Sequence, residues 1–505
     1  MKHSTANIQR PTPNWGRELY IKFIERSMLN VGCSMFLILV AGCVHFHSQP
    51  LSAEKNAAEL ESRSLTNAVL RVFLEKNLQH ELTNWPAVEW DFDTLTLAAF
   101  YYHPDLAVAR AQWSVAQAGI KTAGGRPNPT LTLTPGYDTT PSPLSPWFPA
   151  VNFDLPIETA GKRRHRMEAA GHLSESARFN IATVAWQVRS GLRASLLDFT
   201  VTAQREALIQ NQMTAQEQIV KLLKQQFEAG AISSSEAAVA RIALQKLQLD
   251  FANAQSQRIE ARVRVSEAMG LPTGVLDHVT LAINPLSYTI PPELTSAEVR
   301  RTALLSRADI LSALAEYAAA EATLQTEIAK QYPDVHLNPG YQYDQGDNKW
   351  SVGISFELPI LNQNRGPIAE AKARREEASA KFNALQAKVM AEIDRAVEVF
   401  RISEQNAATL QSLADAQLKQ REAVHGQFEA GAVNQLELMN AQFEFINSEL
   451  ARLDGLFKLQ QAYSALEDAV QRPMNLPEEI FGSNGKDGVS SSQTKMGRQH
   501  ASPPK

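Results

Sequence analysis

Cysteine is almost absent from this chain of 505 residues, and its two cysteines, Cys33 and Cys43, lie near the N-terminus. Beyond them, no disulfide or cysteine-based metal site can hold the chain together. A basic excess is also absent: the formal net charge is −5, so no global positive field attracts nucleic acid. No serine-elbow, phosphate-loop, dinucleotide or zinc-protease motif is present. These absences predict a protein without catalytic residues, cofactor or resident metal.

The N-terminal segment carries the features of an export signal. Lys22 and Arg26 precede a short apolar run over residues 35–41. A charged region, a short apolar core and small residues before a cleavage point are typical of secretory signals. The run is too short to span a membrane, which takes about 20 apolar residues. We therefore predict a signal peptide over residues 1–42.

Residues 40–43 resemble the lipobox of bacterial lipoproteins. The resemblance implies that the thiol of Cys43 is acylated and that this residue becomes the mature N-terminus. Val44 stands after the cysteine in place of an aspartate, which by the same resemblance permits sorting to the outer membrane. An ordinary signal peptide with an incidental cysteine is the alternative. Residues 43–94 are expected to form a lipidated, mostly polar leader.

An internal duplication organises most of the remaining chain. The phrase Gln-Phe-Glu-Ala-Gly-Ala occurs at residues 226–231 and again at residues 427–432, and a proline follows each copy at the same interval. We predict two structurally equivalent halves over residues 95–285 and 286–475. The Gly/Ser/Lys-rich tail, residues 476–505, is expected to be disordered.

Each half contains segments in which apolar residues alternate with small or polar ones, as strands do. These segments predict hairpins over residues 129–157 and 333–360, with residues 344–349 as the loop of the second. The residues predicted on the polar faces are Thr130, Thr132, Asn152, Asp154, Ser351 and Ser355. The aromatic residues expected at the strand ends, as in membrane barrels, are Tyr137, Trp147, Tyr343 and Trp350.

A long proline-free stretch follows each hairpin and predicts a helix of unusual length. At 1.5 Å per residue these helices are expected to reach roughly 95 to 105 Å. Each ends at Glu-Ala-Gly, where the glycine permits a chain reversal, and a shorter helix returns. The predicted helical hairpins cover residues 160–270 and 366–472. Further helices over residues 95–123 and 296–330 are expected to open the two halves.

The hairpins need a partner, because an isolated two-stranded hairpin is barely stable in water and leaves its edges unpaired. In lipid, a closed barrel is the sheet structure that pairs every backbone group. Four strands per chain are too few to enclose an open lumen, so we predict that three chains together supply twelve strands. The alternative is a small soluble sheet that caps a coiled coil. The protein would then be a non-conducting periplasmic lipoprotein scaffold.

This arrangement resembles the TolC-like outer-membrane efflux proteins. The resemblance rests on the repeated helix-tip phrase and on residues 155–163, Leu-Pro-Ile-Glu-Thr-Ala-Gly-Lys-Arg, which are similar to the heavy-metal subgroup. It implies an α+β membrane protein, a homotrimer whose twelve-stranded β-barrel in the outer-membrane lipid continues into a periplasmic α-helical tunnel. The second copy, residues 358–365, departs from the subgroup pattern.

The implied function is the outer-membrane exit channel of a tripartite efflux system. Such a channel passively conducts metal cations or drugs from an inner-membrane pump of the resistance-nodulation-division type and a periplasmic membrane-fusion adaptor to the exterior. A type I protein secretion duct is an alternative of the same architecture.

The resemblance also assigns roles to the helix tips. The residues implied to contact the adaptor are Phe227, Gly230, Ala231, Phe428, Gly431 and Ala432. Glu236 and Glu437 are implied to line the constriction at the closed end of the tunnel, where carboxylates attract cations. A solvated glutamate in a first helical turn is the alternative for each. The tyrosine and arginine latch of some relatives is missing, since Phe428 and Val433 stand there.

A basic cluster over residues 162–166 follows the first hairpin. Two interpretations remain open from the sequence. The cluster either contacts lipid headgroups at the periplasmic surface or is the solvated start of the long helix.

Overall fold

The computed structural model describes residues 46–82, 84–87, 89–140, 146–281, 286 and 297–471. The predicted signal peptide, Cys43 and the predicted tail lie outside the described residues. The chain divides into two units, residues 1–59 and 60–505. In the first unit, the described residues are almost all exposed and contain most of helix α1, Ala53–Glu61.

The second unit begins with a packed layer where the sequence predicted a polar leader. Helix α2, Ala68–Leu78, is followed by a short strand β1, Glu89–Trp90, which pairs with β4, Thr280–Leu281. Next comes helix α3, Phe92–Tyr102. One hydrophobic cluster buries Leu65, Leu70, Leu74 and Trp90 together with side chains of α3. The later part of the predicted leader is therefore core, since its leucines recur at helical spacing and face α3.

The helix predicted over residues 95–123 is in fact two helices. Helix α3 ends at Tyr102, and α4, Pro104–Ala123, begins two residues later. His103 between them is extended, with φ −66° and ψ 127°. The proline ring disfavours the helical conformation in the residue before it and supplies no N–H, so the break falls at this position.

The second opening helix is also divided, for a different reason. It consists of α7, Ala297–Ser306, and α8, Ala308–Ala329, with Arg307 between them. The buried guanidinium of Arg307 donates to the carbonyl of Ala469 at 2.8 Å and to the carboxylate of Asp309 at 2.7 Å. This break is fixed by a tertiary contact rather than by a proline.

The two predicted hairpins join into one antiparallel sheet. Its strands are β2, Thr130–Thr134, β3, Ala150–Ile157, β5, Val335–Asp344, and β6, Asp347–Phe356, in the order β2-β3-β5-β6. Pairing of β3 with β5 connects the two halves, and β2 and β6 are the edge strands. The strands of the first hairpin are 5 and 8 residues long, and beyond them Tyr137 and Trp147 form an isolated bridge.

The loop predicted over residues 344–349 is wrong, because β5 and β6 continue almost to its centre. Asp344 pairs with Asp347, which leaves Gln345 and Gly346 as a two-residue turn. Both have positive φ, 48° and 100°. That conformation matches the twist of a hairpin and suits Gly346 in particular.

Two helical hairpins make up most of the unit. Helix α5, Lys162–Glu228, returns as α6, Ser234–Met269, and helix α9, Arg365–Glu429, returns as α10, Gln435–Val470. The bounds agree with the predicted hairpins within two residues. The 67 residues of α5 correspond to about 100 Å of helix.

The long helices pack in the order α6, α5, α10, α9. Helix α4 lies on α5, whereas its counterpart α8 contacts both α9 and α5. The halves meet where Leu197 and Val201 of α5 pack against Leu453 of α10.

Candidate functional site

The two helix tips have the same backbone geometry. At the first, Gly230 has φ +73°, its N–H donates to Phe227 O at 2.9 Å, and Ala231 N–H donates to Gln226 O at 2.8 Å. These two hydrogen bonds define a Schellman motif, in which the residue after the helix takes the left-handed conformation. The predicted role of this glycine in reversing the chain is confirmed.

The second tip repeats this pattern. Gly431 has φ +74° and donates to Phe428 O at 3.0 Å, and Ala432 donates to Gln427 O at 2.8 Å. Phe428 is 38% exposed, and Phe227 at the first tip is 45% exposed. Each tip therefore presents an accessible aromatic ring beside its reversal.

Glu236 and Glu437 occupy the first turns of the return helices. Ser233 Oγ accepts from the backbone N–H of Glu236 at 3.3 Å, and Asn434 Oδ1 accepts from that of Glu437 at 2.9 Å. Both carboxylates are exposed and lie at a helix N-terminus, where negative charge is favoured. Within one protomer the local arrangement fits both predicted interpretations.

The sheet has one apolar and one polar face, as the alternation predicted. On the apolar face, Trp350, Val352 and Ile354 of β6 are 80%, 74% and 67% exposed. Register brings the predicted polar residues to the opposite face: Thr130 is opposite Asp154, Thr132 is opposite Asn152, and Ser351 and Ser355 are opposite Gly340 and His336. An apolar face of this kind is unfavourable in water, and large exposed apolar patches mark surfaces that contact a partner or a membrane.

Aromatic side chains cluster toward the turn ends of the strands. Tyr137 and Trp147 lie with ring centroids 4.9 Å apart, and Tyr341 and Trp350 lie 4.8 Å apart. Three of these four are aromatic residues that the sequence predicted at strand ends. The fourth predicted residue, Tyr343, pairs with Asn348 beside the turn.

The basic cluster after the first hairpin holds the sheet against the long helices. Lys162, whose side chain is only 9% exposed, donates to Asp334 Oδ1 at 2.7 Å. Thr159 N–H donates to the same oxygen at 3.0 Å, and its hydroxyl donates to Pro333 O at 2.6 Å. Both sequence interpretations of Lys162, a headgroup contact and a solvated helix start, are therefore wrong.

Two arginines extend this junction. Arg166 forms a two-pronged ion pair with Glu158, at 2.5 and 3.1 Å, and Arg163 donates to Gly124 O at 2.6 Å. Residues 155–163, the segment that resembles the heavy-metal subgroup, therefore take part in contacts that connect β3, α4 and α5.

The charge state of Asp334 follows from this junction. Burial alone would raise the pKa of its carboxyl group. Hydrogen bonds from Lys162 and from the Thr159 backbone outweigh that effect, and the pKa falls below its ordinary value of 3.8. Asp334 is therefore ionised at neutral pH and completes the ion pair.

On the polar face, Asp154 forms a pair with a histidine that the sequence analysis did not single out. Asp154 was expected there, and His336 Nδ1 lies 2.8 Å from Asp154 Oδ1 and 3.1 Å from Oδ2. The available signal for His336 was its position between the apolar Val335 and Leu337, which assigns it to the polar face.

Neither a resident metal site nor a spanning helix is found in the part of the chain that the structure describes. In that part, no three His, Cys, Asp or Glu side chains are grouped so that they could hold a metal ion. No described helix is long and apolar enough to cross a membrane.

Comparison with known proteins gives the family. The model of the outer membrane efflux protein family matches residues 99–271 and 299–470, which correspond to the two halves. The chain belongs to this family, and the resemblance predicted from the sequence is confirmed. It is therefore an outer-membrane efflux protein.

A curated relative is the cobalt-zinc-cadmium resistance protein CzcC of Cupriavidus metallidurans. It is 24% identical over 373 residues, which cover 73% of this chain and 87% of the relative. Among solved structures, CusC aligns with a TM-score of 0.61 and 17% identity over 77% of this chain and 95% of that one. The outer-membrane channel OprN aligns with a TM-score of 0.61 and 18% identity over 85% and 98%. These likenesses confirm the fold of helical hairpins joined to a hairpin sheet.

Proposed function

We propose that this protein is the outer-membrane exit channel of a tripartite efflux system and that it conducts divalent metal cations. The observation that carries the proposal is the sheet, which is apolar and exposed on one face and polar on the other, and whose edge strands β2 and β6 pair with no further strand among the described residues. Three such sheets joined edge to edge would form a closed barrel of twelve strands with apolar residues toward lipid and a polar lumen. The metal assignment is supported by the similarity to a cobalt-zinc-cadmium resistance protein.

The helical packing supports a ring of chains joined head to tail. Helix α8 packs on the long helix of its own half and on that of the preceding half, whereas the described residues of its counterpart α4 pack mainly on α5 among the long outward helices. The free face of α4 therefore matches α9 of a neighbouring chain. In the described part of the chain, helix α6, the counterpart of α10, packs on α5 without the second long helix that α10 contacts.

Exposed apolar side chains lie where this ring requires them. On α6 they form a stripe, which we call the α6 stripe: Val239, Ile242, Leu249, Ile259 and Val263. On α9, Val399 and Ile402 are 46% and 49% exposed. A heterologous contact between α6 and the next chain's α9 would close a ring.

The helix tips are the proposed contact with the periplasmic adaptor, and an inner-membrane pump is the proposed third component. The accessible rings of Phe227 and Phe428 beside rigid reversals support this role, since aromatic side chains on fixed backbone are frequent anchors of interfaces.

Acylation of Cys43 would add a lipid anchor. Replacement of Cys43 by Ser should then remove the lipid mass increment and leave the trimer assembled, because the barrel itself remains in the membrane.

Conductance across a planar bilayer tests the proposed function. Purified protein should be a trimer by mass and should form cation-conducting pores. A monomer without current at any voltage would favour the scaffold alternative. Export of a polypeptide in place of metal ions, measured with a co-expressed pump and adaptor, would favour the type I secretion alternative.

The same assay tests the proposed constriction. If Glu236 and Glu437 form a ring of six carboxylates, each pair of charges there interacts by about 1 kcal/mol or more. Replacing both residues with Gln should lower the cation preference and weaken block by polyvalent cations from the periplasmic side. Exchanging Glu260, an exposed carboxylate on α6 away from the tip, for Gln is the control. Wild-type selectivity in the double variant would leave both glutamates as solvated first-turn residues.

A further inference from the structure

The polar face of the sheet carries a histidine that is paired with a carboxylate on the neighbouring strand. His336 is the second residue of β5, and its imidazole Nδ1 lies 2.8 Å from Asp154 Oδ1 on β3. An ionised carboxylate can only accept a hydrogen bond, so Nδ1 carries the proton. Whenever the imidazole carries this single proton, its lone pair is on Nε2.

This arrangement is the one that orients histidine ligands in metal proteins. There, the nitrogen away from the metal usually donates to a carboxylate, which fixes the tautomer and increases the basicity of the ligating nitrogen. Asp154 meets that description, and both side chains remain accessible, with 36% of His336 and 40% of Asp154 exposed. The cationic side chains at the adjacent junction are already engaged: Lys162 with Asp334, Arg166 with Glu158, and Arg163 with Gly124 O.

The surrounding described side chains offer hydroxyl and amide oxygen atoms, and the nearby carboxylate of Asp334 is already paired with Lys162. Thr130 is opposite Asp154, Ser355 is opposite His336, and Asn338 donates to Ser355 Oγ at 2.8 Å. A metal ion on Nε2 would keep most of its water ligands. Such weak binding suits a conduction path, since an ion has to enter a site and also leave it.

We propose that His336 Nε2 is a transient ligand for a borderline divalent cation such as Zn²⁺ on the polar face of the sheet, with Asp154 as its positioning residue. As a station on a conduction path, the site rests on the proposed function. As a binding site, it rests only on the pair itself. Imidazole suits Zn²⁺ and Co²⁺, whereas Mg²⁺ prefers oxygen ligands, so the site should discriminate between them.

The first test is chemical protection, which needs no conductance. The full-length protein in detergent is treated with diethyl pyrocarbonate, which modifies unprotonated imidazole nitrogen, and modification of His336 is followed by peptide mass spectrometry. Zn²⁺ should slow this modification by at least about tenfold, and Mg²⁺ at the same concentration should not. The Asp154→Asn variant should need about 10 to 100 times more Zn²⁺ for the same protection.

The second test is block of the open channel. Zn²⁺ should reduce the single-channel current of the wild-type protein reversibly, and His336→Gln should raise the half-blocking concentration by about tenfold or more. The control is His165→Gln, because His165 forms a similar pair with Glu168, at 3.1 Å, but lies on α5 outside the sheet. That variant should keep wild-type block.

The outcomes separate the two proposals. If Zn²⁺ does not protect His336 in the wild-type protein, the inference is overturned and the pair is only a cross-strand hydrogen bond. Equal block in wild type and His336→Gln also overturns it as a conduction site. Protection without any current would leave the site standing and contradict the proposed channel function.

Discussion

The left-handed glycines at the helix tips are single residues on which the direction of a long helical hairpin depends. Gly431 should not tolerate a β-branched side chain, because the left-handed conformation costs such a residue more than about 1–2 kcal/mol. In Gly431→Val, we expect faster hydrogen exchange at Ala432, whose N–H donates to Gln427 O, and weaker adaptor binding.

Gly426 supplies the matched control for this prediction. It lies inside α9, and a Cβ there meets no atom within 4 Å. Gly426→Val should leave exchange at the tip unchanged and stabilise the helix slightly. Equal effects of the two substitutions would contradict the role assigned to the left-handed conformation.

Lys162 is a second residue with an effect beyond its own position. Replacement of Lys162 by Met removes the cation that lowers the pKa of Asp334. The partly buried carboxylate of Asp334 then has no cationic partner at this junction. At pH 7, we expect the variant to be less stable by about 1–2 kcal/mol, since Asp334 is partly solvated. Thermal unfolding followed by circular dichroism measures the difference.

The pH dependence of that difference has a defined sign. The pKa of Asp334 in the folded protein lies below the ordinary value of 3.8, so its stabilising contribution is present above that value. The contribution is lost as the pH falls through the lowered pKa. The gap between wild type and Lys162→Met should therefore shrink below about pH 3.8. Arg164→Met is the control, because Arg164 is 71% exposed in the same cluster, and a gap of the same size there would contradict the junction.

Helix α6 is the element whose exposed surface most directly tests the ring. Ile242 and Leu249 of the α6 stripe are 64% and 62% exposed within the protomer, so a charge placed on them should cost little stability before assembly. In Ile242→Asp combined with Leu249→Asp, we expect the trimer to dissociate, because burying unpaired charges at an interface is unfavourable. Native mass spectrometry or sedimentation measures the oligomeric state.

Gln248 provides the comparison on the same helix. It is exposed, adjacent to Leu249 in sequence, and lies about 100–120° around the helix from the two substituted residues. Gln248→Asp should leave the trimer intact. If the double variant also remains fully trimeric, the proposed contact between α6 and α9 is wrong.

Elements set by local sequence were predictable, and elements set by distant contacts were not. The long helices follow from stretches without proline, and the strands follow from alternation with a period of two. The break at Arg307 depends on the carbonyl of Ala469, and the burial of Lys162 depends on Asp334, both more than 100 residues away. The break at His103 had a local signal, Pro104, but the prediction of a single helix over residues 95–123 did not take it into account.

The candidate site divides in the same way. The helix tips were predictable because the same phrase occurs twice and each copy contains the glycine that the turn requires. The partnership of His336 with Asp154 was not, since it requires β3 of one half to pair with β5 of the other. Sequence alternation assigns each residue to a face but does not give the neighbour across the strand.

For the molecule as a whole, the distinction between the two faces of the sheet has meaning only in a membrane. Val352 and Ser351 are both exposed neighbours on β6, on opposite faces. Arginine on a lipid face near the bilayer midplane costs about 2–4 kcal/mol, whereas lumen positions tolerate polar residues. We expect Val352→Arg to reduce insertion into the outer membrane and Ser351→Arg to alter only ion selectivity. Membrane fractionation with a conductance measurement distinguishes them, and equal insertion of both variants would contradict the barrel.

The edge strands β2 and β6 expose an unassembled chain to aggregation. Until neighbours arrive, both edges and the apolar face are open to any other extended strand, including one from a misplaced copy. Productive closure and unproductive pairing both accelerate as chains accumulate, but closure requires several chains in the right order. Rapid overproduction should therefore increase the aggregated fraction faster than the number of finished channels. A slow supply of chains is the condition that this architecture favours.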